Sequence, residues 1–146
     1  MLNNAPTFYW DEETGMASCV MSDGHKTYIG TARCHEEDAD MKSEKTGCEI
    51  ALYRAKIKVL KEYRDELKIA LQALNQLYYS MAHSTHFNEK SYENKMLQRH
   101  IKRTTFDLAT AKEMIATEEQ NLKSYLSEKD KFYVKIRNIR AKGKTN

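Results

Sequence analysis

The chain reads as an α+β fold: a small N-terminal antiparallel β-meander packed on a long antiparallel α-helical hairpin of coiled-coil character. Three observations predict it. Short aromatic and β-branched runs, broken by Gly-bearing turns, fill the first third of the sequence. Past Gly47 there is neither Pro nor Gly as far as Met81, and apolar residues recur there at intervals of three and four. A polar stretch, AHSTHFNEKS, then breaks the pattern before it restarts. In this reading the 146 residues are one domain, with residues 1–43 a β-rich head and residues 44–146 two long helices.

TFYW, MASCVM and KTYIGTARC are the expected strands. Glu13-Thr14-Gly15 separates the first pair. Asp23-Gly24 separates the second, and Asp-Gly is a hairpin signal because Gly accepts positive φ. In the third strand a period of two puts Tyr28, Gly30, Ala32 and Cys34 on one face. The polar run HEEDADMKSEKT follows, with Ser43 or Thr46 as the cap of the next helix. In that helix Gly47, Ala51 and Ala55 recur every four residues as a stripe without bulk. Such a stripe lets a helix sit close on the flat patch of Gly30 and Ala32.

The first helix is expected to cover about 35 residues, with Tyr53, Ile57, Leu60, Leu67, Leu71, Leu74, Tyr78 and Met81 inside and Arg64 as the one interruption. The second, about 50 residues, carries a four-three seam through Leu97, Ile101, Thr104, Leu108, Ala111, Ile115, Glu118, Leu122, Tyr125, Lys129, Phe132, Ile136 and Ile139. Glu118 and Lys129 at seam positions are costly alone and set register if a second chain packs there. A homo-oligomer, dimer or higher, is expected, because both helices outrun the small head.

Charge divides along the chain. Residues 1–50 hold four Lys/Arg and ten Asp/Glu, whereas residues 51–146 hold twenty and eleven. This means head-to-body contact between subunits, an anionic ligand on the body, or two solvated faces of opposite sign. The total of +3 argues against a DNA mimic. No apolar run approaches a membrane span, so no membrane partner is expected. The first residues do not read as a secretory signal. Three cysteines without a C-x-x-C pair fit a reducing compartment.

Catalytic and metal constellations are not expected. Cys19, His25, Cys34, His35 and Cys48 match no zinc spacing. Cys34 and His35, adjacent on a strand, face opposite ways and make no nucleophilic dyad. Glu36, Glu37, Asp38 and Asp40 read as a solvated acidic loop. Neither a phosphate loop, a dinucleotide fingerprint nor a nucleophile elbow is present. The reading is therefore of a protein that is not an enzyme and carries no cofactor. The candidate binding residues are Phe87 and Asn88 in the bend and Arg99, His100 and Arg103 early in the second helix, with Lys102 beside them. An aromatic to stack on a base, an amide to read its edge and arginines to grip phosphates are parts of a nucleotide pocket. On spacing alone the same residues also read as a solvated basic turn. The tail, with Lys135, Arg137, Arg140, Lys142 and Lys144, is basic too; tails of this kind are usually solvated, though some touch nucleic acid. Nucleic acid is not an expected partner.

The run Gly30-Thr31-Ala32-x-Cys34-His35-x-x-Asp38, then Gly47-x-x-Ile50-Ala51-x-x-Arg54-Ala55-x-x-Lys58, resembles a signature of small bacteriophage proteins. With the long C-terminal helices added, the chain resembles the first-described type of phage Thoeris anti-defence protein. The resemblance covers residues 26–58 and the general layout. It departs from the pattern at Asp38-Ala39-Asp40-Met41, where an aromatic usually follows the acid. It implies a viral sponge in the cytoplasm of the infected bacterial host. Such a symmetric oligomer binds a cyclic ADP-ribose immune signal without cleaving it, and in some members binds small cyclic oligonucleotides at separate sites. An aromatic and an Asn would grip the signal, with Phe87 and Asn88 the nearest matches. Arginines four apart, here Arg99 and Arg103, would grip the second ligand. The alternatives are an inhibitor that binds a protein or nucleic acid of another host defence system, such as a CRISPR effector, and a coiled-coil adaptor.

Overall fold

The computed structural model describes residues 5–34 and 42–144. His35, Glu36, Glu37, Asp38 and Asp40 lie outside the described residues, as does the Lys144 side chain. The elements run β1 (Thr7–Asp11), β2 (Met16–Ser22), β3 (Thr27–Arg33), α1 (Glu44–Ala82) and α2 (Tyr92–Lys144). The strands form an antiparallel sheet in sequence order, and the two helices form a hairpin turning at residues 83–91, the fold class expected.

Each turn is built by a side chain and a glycine. Asp11 Oδ1 accepts the N–H of Glu13 at 3.0 Å, and Gly15 follows with φ 65°. Asp23 Oδ1 accepts the N–H groups of His25 and Lys26 at 2.9 and 2.7 Å around Gly24, φ 93°. Both conformations are ones that only Gly adopts without strain. The register pairs Ala17 with Ala32, Cys19 with Gly30 and Met21 with Tyr28. These residues face α1, and the period of two read from the sequence matches the alternating burial of β2 and β3.

The chain forms two compact units, one of residues 1–59 with 117–146, the other of residues 60–116. The division falls inside both helices. A three-stranded sheet needs one face covered, and the ends of both helices supply the cover.

In the first unit Ala17, Cys19, Met21, Ala32, Ala51, Ala55 and Val59 make the core, with Trp10 and Tyr28 at its margin. Gly30 lies against the α1 backbone, where a Cβ would meet the Ala51 carbonyl and the Ala55 nitrogen. Gly47 sits on Ala17 and Trp10. The small-residue stripe is thus a packing device. Two residues of the same motif have a further job: Arg54 Nη1 donates to Thr31 O at 2.6 Å, and Lys58 Nζ donates to Ile29 O at 2.5 Å. They satisfy carbonyls along the β3 edge, which blunts that edge against pairing. Ser43 caps α1, accepting the Thr46 N–H at 3.2 Å.

The seam of α2 holds as far as Lys129 and then shifts. Leu97, Leu108, Ala111 and Ile115 are buried, but Phe132 is 56% exposed and Tyr133 turns inward instead. A straight helix drifts by about 20° per heptad against a 3.5-residue repeat, so a long seam loses its phase unless the helix supercoils. Glu118 and Lys129 are half-buried within the first unit. Lys129 Nζ stands 5.4 Å from the Tyr125 ring centroid, an intramolecular partner for a seam cation.

Candidate functional site

The bend of the second unit is held by local hydrogen bonds. Phe87 N donates to Ser84 O at 3.2 Å, and Ser91 N donates to Asn88 O at 3.1 Å. Asn88 Oδ1 accepts the Lys90 N–H at 3.0 Å. Ser91 caps α2, its hydroxyl accepting the Asn94 N–H at 3.3 Å. The Phe87 ring meets Tyr78 edge-on, with centroids 6.2 Å apart. These contacts fix a depression of about 280 Å³ lined by Met81, Ser84, His86, Phe87, Asn88, Ser91, Glu93 and Asn94.

Asn94 is the residue that spacing did not reveal. It is only 2% exposed. Its Nδ2 donates to Asn88 O at 2.5 Å, which fixes the amide orientation, because a flip would set two oxygens together. Its Oδ1 then has no donor and is buried. A buried acceptor left unpaired costs about 1–3 kcal/mol. Such an orphan marks a place where a water or a ligand N–H belongs. The first turn of α2 adds unpaired N–H groups and a partial positive charge to the same wall.

The structure brings Phe87 and Asn88 together and places Arg99, His100 and Arg103 elsewhere. The three are exposed and do not line the depression. At 1.5 Å per residue Arg99 lies about 7.5 Å along α2 from Asn94. It is also turned by roughly 140° from it, on the face directed away from the seam. The five candidates therefore make two places, a bend depression and a basic helix face.

Other concavities carry less chemistry. A groove lined by Lys68, Leu71, Gln72, Asn75, Gln76, Tyr79 and Ser80 belongs to the surface of α1 alone. In the first unit a smaller cavity of about 180 Å³ has Trp10, Ala32, Ile50 and Leu126 among its walls and Arg33, Lys129 and Asp130 on its polar side. Cys19 and Cys48 are free, and burial raises both thiols above the ordinary range. Among the described residues no group of three His, Cys, Asp or Glu side chains stands together as metal ligands. Among the described residues, no helix is long and apolar enough to cross a membrane.

No family model matches the chain, and no curated protein or solved structure matches it.

Proposed function

We propose that the protein is a phage anti-defence sponge, a homo-oligomer that sequesters a cyclic ADP-ribose isomer at the bend between its helices and does not cleave it. The observation that carries the reading is Asn94, whose buried Oδ1 has no donor and which lines a depression together with Phe87 and Asn88 at the N-terminus of α2. An adenine offers an aromatic face to Phe87 and an amino donor to Asn94. A pyrophosphate is favoured by the first turn of α2. The depression is about the size of one nucleoside portion, so the rest of the ligand extends beyond it. Capture needs shape, hydrogen bonds and positive potential, and no activated water.

Glu93 on the rim opposes an anionic ligand, which gives the reading a distinctive signature. Isothermal titration with a cyclic ADP-ribose isomer should show binding that Asn94→Leu abolishes. Phe87→Ala should weaken it by about 1–3 kcal/mol, the scale of base–aromatic stacking, and Glu93→Gln should strengthen it. Heat denaturation after loading should return the ligand intact. Recovery of a cleaved product would make the protein an enzyme. Absence of binding to any cyclic nucleotide would favour the inhibitor of another defence system.

A further inference from the structure

The outer face of α2 in the second unit carries a pattern that the bend depression does not use. With Leu97, Leu108, Ala111 and Ile115 turned inward, 3.6 residues per turn puts Tyr92, Arg99, Arg103, Phe106 and Thr110 within an arc of about 60° on the opposite side. Lys95 and Lys102 flank that arc at its edge. All of these side chains are exposed. Tyr92 and Phe106, at 73% and 71%, are the two most exposed large apolar side chains among the described residues. Between Tyr92 and Thr110 no carboxylate falls on this arc; Asp107 flanks it on the side opposite the lysines, and Glu93 lies toward the seam. Two bare aromatic rings thus stand with two arginines on the arc, two lysines along one edge and one carboxylate, Asp107, along the other.

A protein interface hides its aromatics in an apolar centre and keeps charge at the rim. Here the order is inverted, with arginines between the rings. Bases on rings and phosphates on arginines is the arrangement of sequence-tolerant single-strand binding. Tyr92 and Phe106 are fourteen residues apart, about 21 Å along the helix. One small ring of two or three nucleotides does not reach both, whereas a linear strand does.

We infer that this face binds a linear single strand of nucleic acid, with Tyr92 and Phe106 as stacking platforms and Lys95, Arg99, Lys102 and Arg103 on its phosphates. Nucleic acid is not an expected partner from the sequence. The relevant quantity is the charge of one face, and on this arc it is wholly positive. The inference is independent of the bend depression, and either can fail alone.

The test is fluorescence anisotropy of a labelled oligothymidylate of about twelve nucleotides, a length within the range of such sites, titrated with the full chain at low and moderate salt. Binding should weaken with salt at a slope of about −2 to −3 in log K against log salt, for three or four phosphate contacts. Phe106→Ala should weaken it about five- to a hundred-fold. Arg103→Ala should lower the slope by about 0.7. Tyr79→Ala, an exposed aromatic on α1, should change nothing. No binding by the wild type at about 100 μM protein would overturn the inference, as would equal affinity of the Phe106→Ala variant. Equal competition by a cyclic trinucleotide or by duplex DNA would overturn the linear, stacked mode. A wild type that ignores the oligonucleotide but loses mass in light scattering on Phe106→Ala would assign the face to a second copy.

Discussion

At the scale of single residues, space and hydrogen bonding separate glycines and carboxylates that look alike in sequence. Gly30 touches the α1 backbone, whereas Gly143 has nothing within 4 Å of an added Cβ. Gly30→Ala must push a rigid helix off the sheet and should cost about 3 kcal/mol or more, at the upper end of overpacking. Gly143→Ala should cost nothing and raise helix stability by up to about 1 kcal/mol. Chemical denaturation measures both, and equal midpoints for the two variants would refute the packing role. Asp11 and Asp23 illustrate the same point electrostatically. The Thr14 hydroxyl and the N–H groups of Glu13 and Thr14 hold the Asp11 carboxyl below its ordinary range, and the N–H groups of Lys26 and His25 do so for Asp23. A carboxylate depressed in the folded state stabilises it above the unfolded pKa of about 3.9, and that contribution is lost as pH falls through the folded pKa. The melting temperature of the wild type should therefore fall more steeply below about pH 4 than that of an Asp11→Asn, Asp23→Asn variant. Parallel curves would show that the turns are not charge-stabilised.

At the scale of elements, what the sequence made legible is what periodicity encodes. Strand alternation, both Gly turns, the Ser43 cap and the inward residues Ile57, Leu67, Leu71, Leu74 and Tyr78 all follow from spacing. The shift at Phe132 was not legible, because a strict heptad hides the slow drift of a straight helix. Nor was Asn94, since one amide among polar neighbours has no period; only its burial and missing donor distinguish it. Arg99, His100 and Arg103 were legible as a basic cluster, but their direction around α2 required the seam to be fixed first. Tyr125 joins the two helix ends in the first unit. Its ring lies 5.9 Å from Tyr53, its hydroxyl bonds Glu49 and Thr46, and burial first, then Glu49, pushes its pKa up to about 12. A phenol raised in the folded state contributes stability that is whole below the unfolded pKa of about 10 and is lost as pH rises toward 12. Tyr125→Phe should lower stability by about 0.5–1.5 kcal/mol at neutral pH through its lost hydrogen bonds. It should also narrow its gap to the wild type between about pH 10 and 12, followed by thermal melts. A gap that stays constant across that range would mean that the phenol is exposed.

At the scale of the whole molecule, the second unit is short of cover. Its buried apolar residues, Leu97, Leu108, Ala111 and Ile115, all come from α2, and no residue of α1 from Leu60 to Ala82 is buried. Ile69, Ala73 and Leu77, spaced by four, form an exposed ridge on the side of α1 away from its inward residues Leu67, Leu71, Leu74 and Tyr78. Unlike the outer face of α2, this ridge has no charged residue between its ends, which suits a second helix better than a polyanion. Ala73 at its centre is short, so a facing helix can come close between the two larger side chains. A second copy of the chain, contributing the same ridge, is the simplest cover, because a two-fold interface brings like surfaces together. Fully burying an Ile or Leu is worth about 1.5–3 kcal/mol. Ile69 and Leu77 from both copies therefore supply a gain of the same order as the association cost, about 4–15 kcal/mol. With gain and cost so close, removing these two side chains from each copy should decide the equilibrium. Light scattering of the wild type at tens of micromolar should report at least twice the monomer mass. The Ile69→Lys, Leu77→Lys variant should fall to the monomer mass with its helical circular dichroism intact, since both side chains are already exposed within the chain. Ile115→Asp should instead lose helicity and mass together, because it buries a charge inside the hairpin. A wild type that stays monomeric at tens of micromolar would leave the ridge without a partner and remove the oligomer from the proposed sponge. A double variant that keeps its mass would move the interface away from α1.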